Sequence, residues 1–340
     1  MTQYCIQEKI MYKLNSLQYP SLEKIVLNSS YSFEALGDNT ELENEIKDFK
    51  KQFDFKSLNT FAFTKEGFLS LMLELGGNIA ISRGECEAII RAGELYEKLG
   101  KKVFWLALNK KSELYFESLA KKKVDFIFVS AYIMDTFAKI SQEKIKKLKT
   151  LTKAKVISNF SSCKYAKFAD IILFDSYKLS GYGVSGLILY SDDELKEQYL
   201  GEFDGLGFRL ISSSLKKRKF FSKNKVEFLA FLKKNFQDDL FLFVDPELCL
   251  EHSLHFGLKK IKARELIRTL RLDDVLLSNG EACALGLGRP SRILQDMGYD
   301  ETTSRWALSI NFEKDFSKEE LEKIAKLLLK KYRQIRVLND

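Results

Sequence analysis

Apolar positions along most of the chain alternate between two rhythms. Short runs rich in β-branched and aromatic residues recur at NIAIS (78–82), KVFWLAL (102–108), VDFIFVSAY (124–132), VISNFSS (156–162) and ADIILFD (169–175). Between them lie stretches with apolar residues at helical spacing: CEAIIRAGELYEKLG (86–100), SELYFESLAKKK (112–123) and SQEKIKKLKTLTK (141–153). This alternation predicts an α/β region from about 56 to 210, with a mainly parallel sheet covered by helices on both faces. Sites in such sheets lie at the carboxyl ends of the strands. That gathers Thr64 to Gly67, Gly84 to Cys86, Ser130 to Asp135, Ser158 to Ser161 and Asp175 to Lys178 around one crevice. TFAFTKEGFLSLMLELGG reads as strand (60–63), turn and helix (67–75), a unit that points backbone N–H groups at whatever sits above the turn.

The flanking regions read differently. A short polar helix pattern from about Asn15 leads into KIVLNSSYSF, where Ile25, Val26 and Leu27 form a brief strand, and Asn39 to Phe53 is a charged amphipathic helix. Beyond the basic stretch KKRKFFSKNK (216–225) come strands at 240–244 and 254–258, the helix KARELIRTLR, the strand VLLS, and the loop LSNGEAC. A helix at RPSRILQDMG, the strand RWALSINF and a helix over 317–332 complete a smaller α+β layer. The division predicted is a large domain over 15–213 and a small one over 214–340, with 1–14 packing on the small domain.

Composition narrows the classes. Of 340 residues 45% are hydrophobic, yet no apolar run approaches the roughly 18 needed to cross a bilayer. The N-terminal MTQYCIQEKIMYKL lacks a signal-peptide core, so a cytoplasmic protein without a membrane role is expected. Five cysteines without a CxxC pair, and two histidines out of register with them, argue against a disulfide framework or a metal site. The net charge of +8 collects in Lys144 to Lys155, which has helical spacing, and in the 216–225 stretch. These read as a solvated helix face and a linker, and no nucleic-acid partner is expected.

Two residues carry the candidate chemistry. Cys283 sits on a loop with Gly280, Gly286 and Gly288 around it, which suits a nucleophile that must travel; a small buried cysteine beside a turn is the blander reading. Lys178 follows an apolar strand and precedes the glycine- and serine-rich LSGYGVSGLILYS. A lysine facing a crevice there is suited to a Schiff base with an aldehyde cofactor, whereas a surface hairpin lysine is the alternative.

ADIILFDSYKLSGYGVSGLILYS resembles the segment that holds the pyridoxal-phosphate lysine in cysteine desulfurases and related class V aminotransferase-fold enzymes. LSNGEACALGLGRPSRILQDMGYDE is similar to their persulfide-forming cysteine segment, and SRGECEAIIRA is similar to the segment of the ring-stacking histidine. The resemblance spans about Ile25 to Lys330. It implies a fold type I large domain, bound pyridoxal 5'-phosphate, a homodimer, and L-cysteine or a related amino acid as substrate. Lys178 would hold the cofactor and shuttle the α-proton, and Cys283 would accept the sulfur and pass it to an acceptor protein. Thr64, Gly67, Cys86, Asn159, Ser161 and Tyr177 take the other cofactor positions, with Arg305 or Arg209 for the substrate carboxylate.

Several positions depart from that pattern. Cys86 stands for the stacking histidine, Asn159 or Ser158 for the aspartate on the pyridine nitrogen, and Lys65-Glu66-Gly67-Phe68 for the phosphate turn. Asp175 and Tyr177 replace the serine and histidine before the lysine, placing carboxylates where a phosphate is expected. The departures leave a second expectation, a catalytically degenerate paralogue acting as a binding or sulfur-relay protein. A selenocysteine lyase, another class V aminotransferase, and an unrelated nucleotide- or sugar-binding α/β protein are further alternatives.

Overall fold

The computed structural model describes residues 11–24, 40–191, 202–280 and 289–339. Its large sheet has seven strands: β2 (Ser57–Phe61), β3 (Ile79–Ser82), β4 (Val103–Leu106), β5 (Phe126–Phe128), β6 (Lys155–Asn159), β7 (Ile171–Phe174) and β8 (Gly186–Tyr190). They lie in the order β2-β8-β7-β6-β5-β3-β4. The pairs from β4 through β7 are parallel, while β8 is antiparallel to both β7 and β2.

Alternate residues of these strands feed two cores. Ala80, Ile127, Val156, Ile172 and Leu187 pack with α1 (Thr40–Phe53), α4 (Gln142–Thr152) and α6 (Gly205–Lys217). Ile79, Ile81, Phe128, Ile157 and Ile188 pack with α2 (Lys65–Leu75) and α3 (Glu87–Lys98) on the other face. Between β7 and β8 lies α5 (Ser176–Ser180), a single turn that carries Lys178.

A third core belongs to a three-stranded sheet, β9 (Leu240–Phe241), β10 (Ser253–Leu258) and β12 (Ala307–Asn311), antiparallel throughout. Helices α7 (Asn224–Phe236), α8 (Ala263–Arg271) and α11 (Lys318–Asn339) cover it. α8 has nine residues, too few to be helical alone, since isolated helices need about 12–15. Its Ala263, Leu266, Ile267 and Leu270 share one face and are buried; each large apolar side chain so buried contributes about 1.5–3 kcal/mol, and this packing sustains the helix. β1 (Tyr12–Lys13) pairs in parallel with β11 (Val275–Leu276) of this region. Two short helices, α9 (Arg292–Asp296) and α10 (Glu301–Ser304), complete it.

The helix expected over 112–123 is absent, leaving a 3-10 turn at Glu117–Leu119. The Asn109 carboxamide oxygen accepts from the N–H groups of Lys111 and Glu113, and Ser112 takes a positive φ of 63°. This side-chain-closed turn folds Leu114 back onto Leu108 and diverts the N–H groups that a helix would need. No helix occupies 15–24; a turn closes there, from Gln18 and Tyr19 N–H to the Asn15 carbonyl. The Ile25–Leu27 strand lies outside the described residues.

Candidate active site around Lys178

The carboxyl ends of β3, β6 and β7 lead into Cys86, Asn159 and Asp175 respectively. Asp175 begins α5 by accepting from Tyr177 N–H at 2.9 Å, and its own N–H donates to Ser161 Oγ at 2.6 Å. Lys178 follows one residue after Tyr177. The charges of Asp175 and Lys178 both act on the Cys86 thiol, so two chain-distant segments share one site.

Lys178 Nζ donates to the Leu17 carbonyl. Asn311 at the end of β12 fixes that strap: its Oδ1 accepts Leu17 N–H at 2.9 Å, its N–H donates to Leu14 O at 2.9 Å, and its Nδ2 donates to Ser16 Oγ. Arg218 Nη1 donates to the carbonyl of Lys178 itself. Neither Leu17 nor Asn311 was legible as a site residue, because the N-terminal segment reaches the lysine only in the folded chain.

Cys86 caps the start of α3 without a side-chain hydrogen bond. It is half-buried by surface area, but the dense protein around it disfavours a thiolate, and Glu85 and Asp175 add to that, pushing the thiol up to about 12. Thiol modification is carried by the thiolate, so alkylation at Cys86 will run about a thousandfold slower than at an ordinary cysteine of pKa about 9. Peptide mass spectrometry after timed iodoacetamide treatment at pH 8 measures this; rapid labelling of Cys86 would refute the environment described.

Beside it, Glu85 is a buried carboxylate that the sequence reading passed over. It accepts from Ser130 N–H and, at 2.6 Å, from Ser130 Oγ. Burial raises its pKa to about 7, against the opposing effect of these bonds and of the Arg292 charge. Arg292, on α9, donates to the carbonyls of Arg83 at 2.7 Å and Glu85 at 2.8 Å, clasping the loop from outside. The one signal in the sequence was an acid placed directly before the first residue of a helix behind a core strand.

Cys283 lies outside the described residues. The residues flanking its segment meet the large domain at one point. Asp135 Oδ2 accepts from Ser291 Oγ at 2.6 Å, and a Cβ on Gly280 would stand 2.4 Å from Asp135 Oδ1, so a larger residue there would displace the carboxylate that holds Ser291. Of the arginines expected near a substrate carboxylate, Arg209 pairs with Glu45 of α1 at 3.0 Å and Arg305 with Glu301 of α10 at 2.6 Å.

Two ends of this site bear on pyridoxal phosphate. At the phosphate end, Thr64 Oγ1 accepts Gly67 N–H at 3.2 Å and caps α2. The Glu66 carboxylate folds back on its own N–H, Lys65 and the Thr64 hydroxyl, which hold its pKa below the usual range. Phe68 is fully buried and offers no hydroxyl. Helix N-termini are the natural cradles for phosphate, and here both α2 and α5 are met by a carboxylate of their own, Glu66 and Asp175. At the ring end, Asn159 Oδ1 already accepts from Ser161 N–H at 2.9 Å and Ser161 Oγ at 2.5 Å. Ser158 brings only a buried hydroxyl, and Cys86 brings no aromatic face. A neutral amide cannot balance a protonated pyridine nitrogen, and two carboxylates oppose a phosphate. These residues do not fit the cofactor.

No protein-family model matches the sequence, and no curated protein matches it. Solved structures do match. One described as a NifS-like protein superposes with a TM-score of 0.76 at 14% identity, covering 97% of this chain and 100% of its own. A NifS-like protein from Rickettsia africae ESF-5 gives 0.71 at 12% identity, with 95% and 100% covered. SspA in complex with cysteine gives 0.63 at 13% identity, with 85% and 93% covered. The chain has the fold of the NifS-like proteins, a large α/β domain followed by a smaller C-terminal one. No helix among the described residues is long and apolar enough to cross a membrane.

Proposed function

We propose that this chain is a NifS-like-fold protein that does not run pyridoxal-phosphate chemistry and acts as a binding or sulfur-relay protein through Cys283. The observation that carries this reading is the pair of carboxylates, Glu66 and Asp175, standing at the helix N-termini where the cofactor phosphate would be gripped. The relay step is a transfer of sulfane sulfur: the Cys283 thiolate attacks the outer sulfur of a donor persulfide, the donor leaves as a thiolate, and no external oxidant is required. Cys283 is the thiol chosen because the resemblance places the sulfur-accepting cysteine there, and two other thiols are disfavoured: burial raises Cys86 to about 12 and Cys249 to about 11. A homodimer, as the family resemblance implies, belongs to the same reading.

A second reading has one observation in its favour. Lys178 reaches the crevice beside Cys86 and Asp175, as a pyridoxal-phosphate cysteine desulfurase acting on L-cysteine would require. Absorbance distinguishes the two. The purified protein mixed with excess pyridoxal phosphate and desalted is expected to show no band at about 390–420 nm, the region of a lysine-bound cofactor. A band that is present in the native protein and lost in Lys178→Ala would overturn the first reading in favour of the second. The relay is tested separately: incubation with a low-molecular-weight persulfide is expected to add one sulfur to the protein, and Cys283→Ser to remove that adduct.

A further inference from the structure

Next to α5, a cleft of about 340 Å³ lies between the end of α6 and the end of β12. Leu179, the residue after Lys178, forms part of its wall. The volume is in the range of sites that hold small metabolites. Two buried polar side chains border it without a hydrogen-bond partner: Ser214 Oγ and both ring nitrogens of His252. Such groups are rare in folded proteins and call for a partner. The Phe220 backbone acts on the His252 ring without meeting it in a full hydrogen bond.

The charges around the cleft are unevenly matched. Its carboxylates are engaged: Glu23 with Lys217, Glu313 with the Ser21 hydroxyl at 2.9 Å, and Asp315 with the Ser222 hydroxyl at 3.4 Å. Lys217, Arg218, Lys219 and Lys314 outnumber the cleft's three carboxylates, Glu23, Glu313 and Asp315, and Lys314 lies over the Phe316 ring at 5.3 Å. The charge of Arg218 acts on His252.

We propose that this cleft is a binding site for a small oxyanion-bearing metabolite, a carboxylate or a phosphate, held by Lys219, Lys314 and Arg218 at the rim over Ser214 and His252. Because Arg218 Nη1 also bonds the Lys178 carbonyl, a ligand there is linked to the turn that carries Lys178. The cleft adjoins the Lys178 turn, but Glu85, Cys86, Asn159 and Asp175 are not among its lining, so the binding test does not depend on whether the lysine crevice takes a cofactor.

The test is calorimetric titration of the full chain with inorganic phosphate in one arm and L-alanine in the other, at an ionic strength fixed with sodium chloride. Saturable single-site binding of either probe is expected, and the arm that binds identifies the source of the oxyanion. Lys219→Ala combined with Lys314→Ala should weaken it at least about tenfold, the loss typical of one charge-assisted contact. Both lysines are exposed, so the fold is not at risk, and Ser214→Ala provides a conservative second variant with a similar loss. Absence of saturable binding in both arms, or binding that survives both variants unchanged, would overturn the proposal.

Discussion

Glu85→Gln will stabilise the protein at pH 8 and leave it nearly unchanged below pH 4.5. Glu85 is buried, and its pKa rises from an ordinary 4.5 to about 7 because burial penalises the charged form. Between those two values the folded state holds a proton that the unfolded chain has released. The stability contributed by the protonated acid is therefore complete below 4.5, falls as pH rises, and is lost above about 7. A shift of this size corresponds to about 3 kcal/mol. The glutamine amide keeps an acceptor for Ser130 N–H and cannot ionise, so the loss disappears. Urea unfolding of wild type and variant at pH 4.5, 6 and 8 measures the difference; parallel pH profiles would show that Glu85 is already charged in the fold.

Gly67→Ala will cost about 3 kcal/mol or more, or prevent folding. A Cβ at Gly67 would stand 1.8 Å from the Ala62 carbonyl oxygen and 2.8 Å from its carbon. Both are backbone atoms at the end of β2, so no side chain can swing aside. The first turn of α2 would have to lift, breaking the bond from Gly67 N–H to Thr64 Oγ1. Gly76→Ala is the comparison: nothing lies within 4 Å of the new Cβ there, and only the backbone, at φ 65° and ψ −166° in a region essentially confined to glycine, opposes it, at about 1–3 kcal/mol. If both substitutions prove equally mild by urea denaturation, the close packing of α2 on β2 is wrong.

Much of the fold was written in the periodicity. The β-branched runs at 79–82, 155–159 and 171–174 are core strands, because both faces of a covered parallel sheet demand apolar side chains at every position. Lys178 could be placed after β7, since an apolar run stopping at Asp175 must end the strand. The failures have a common cause. The 112–123 segment carries helical spacing, but the Asn109 turn offers its backbone a better local partner. Glu85 fell within the Gly84 to Cys86 turn but had no role legible in the sequence, and burial beside Ser130 and Arg292 is what makes it a group with a displaced pKa.

The sequence by itself determined most of the strands and helices and the two-part architecture, and it singled out the lysine and cysteine segments as candidates, since these depend on residue spacing within one stretch of chain. The tertiary structure decided what surrounds the lysine and flanks the cysteine segment: the Leu17 strap fastened by Asn311, and Asp135, which accepts from Ser291 on one flank and lies against the Gly280 backbone on the other. These contacts join residues more than a hundred positions apart. Their energies depend on burial and on distances that no local pattern encodes.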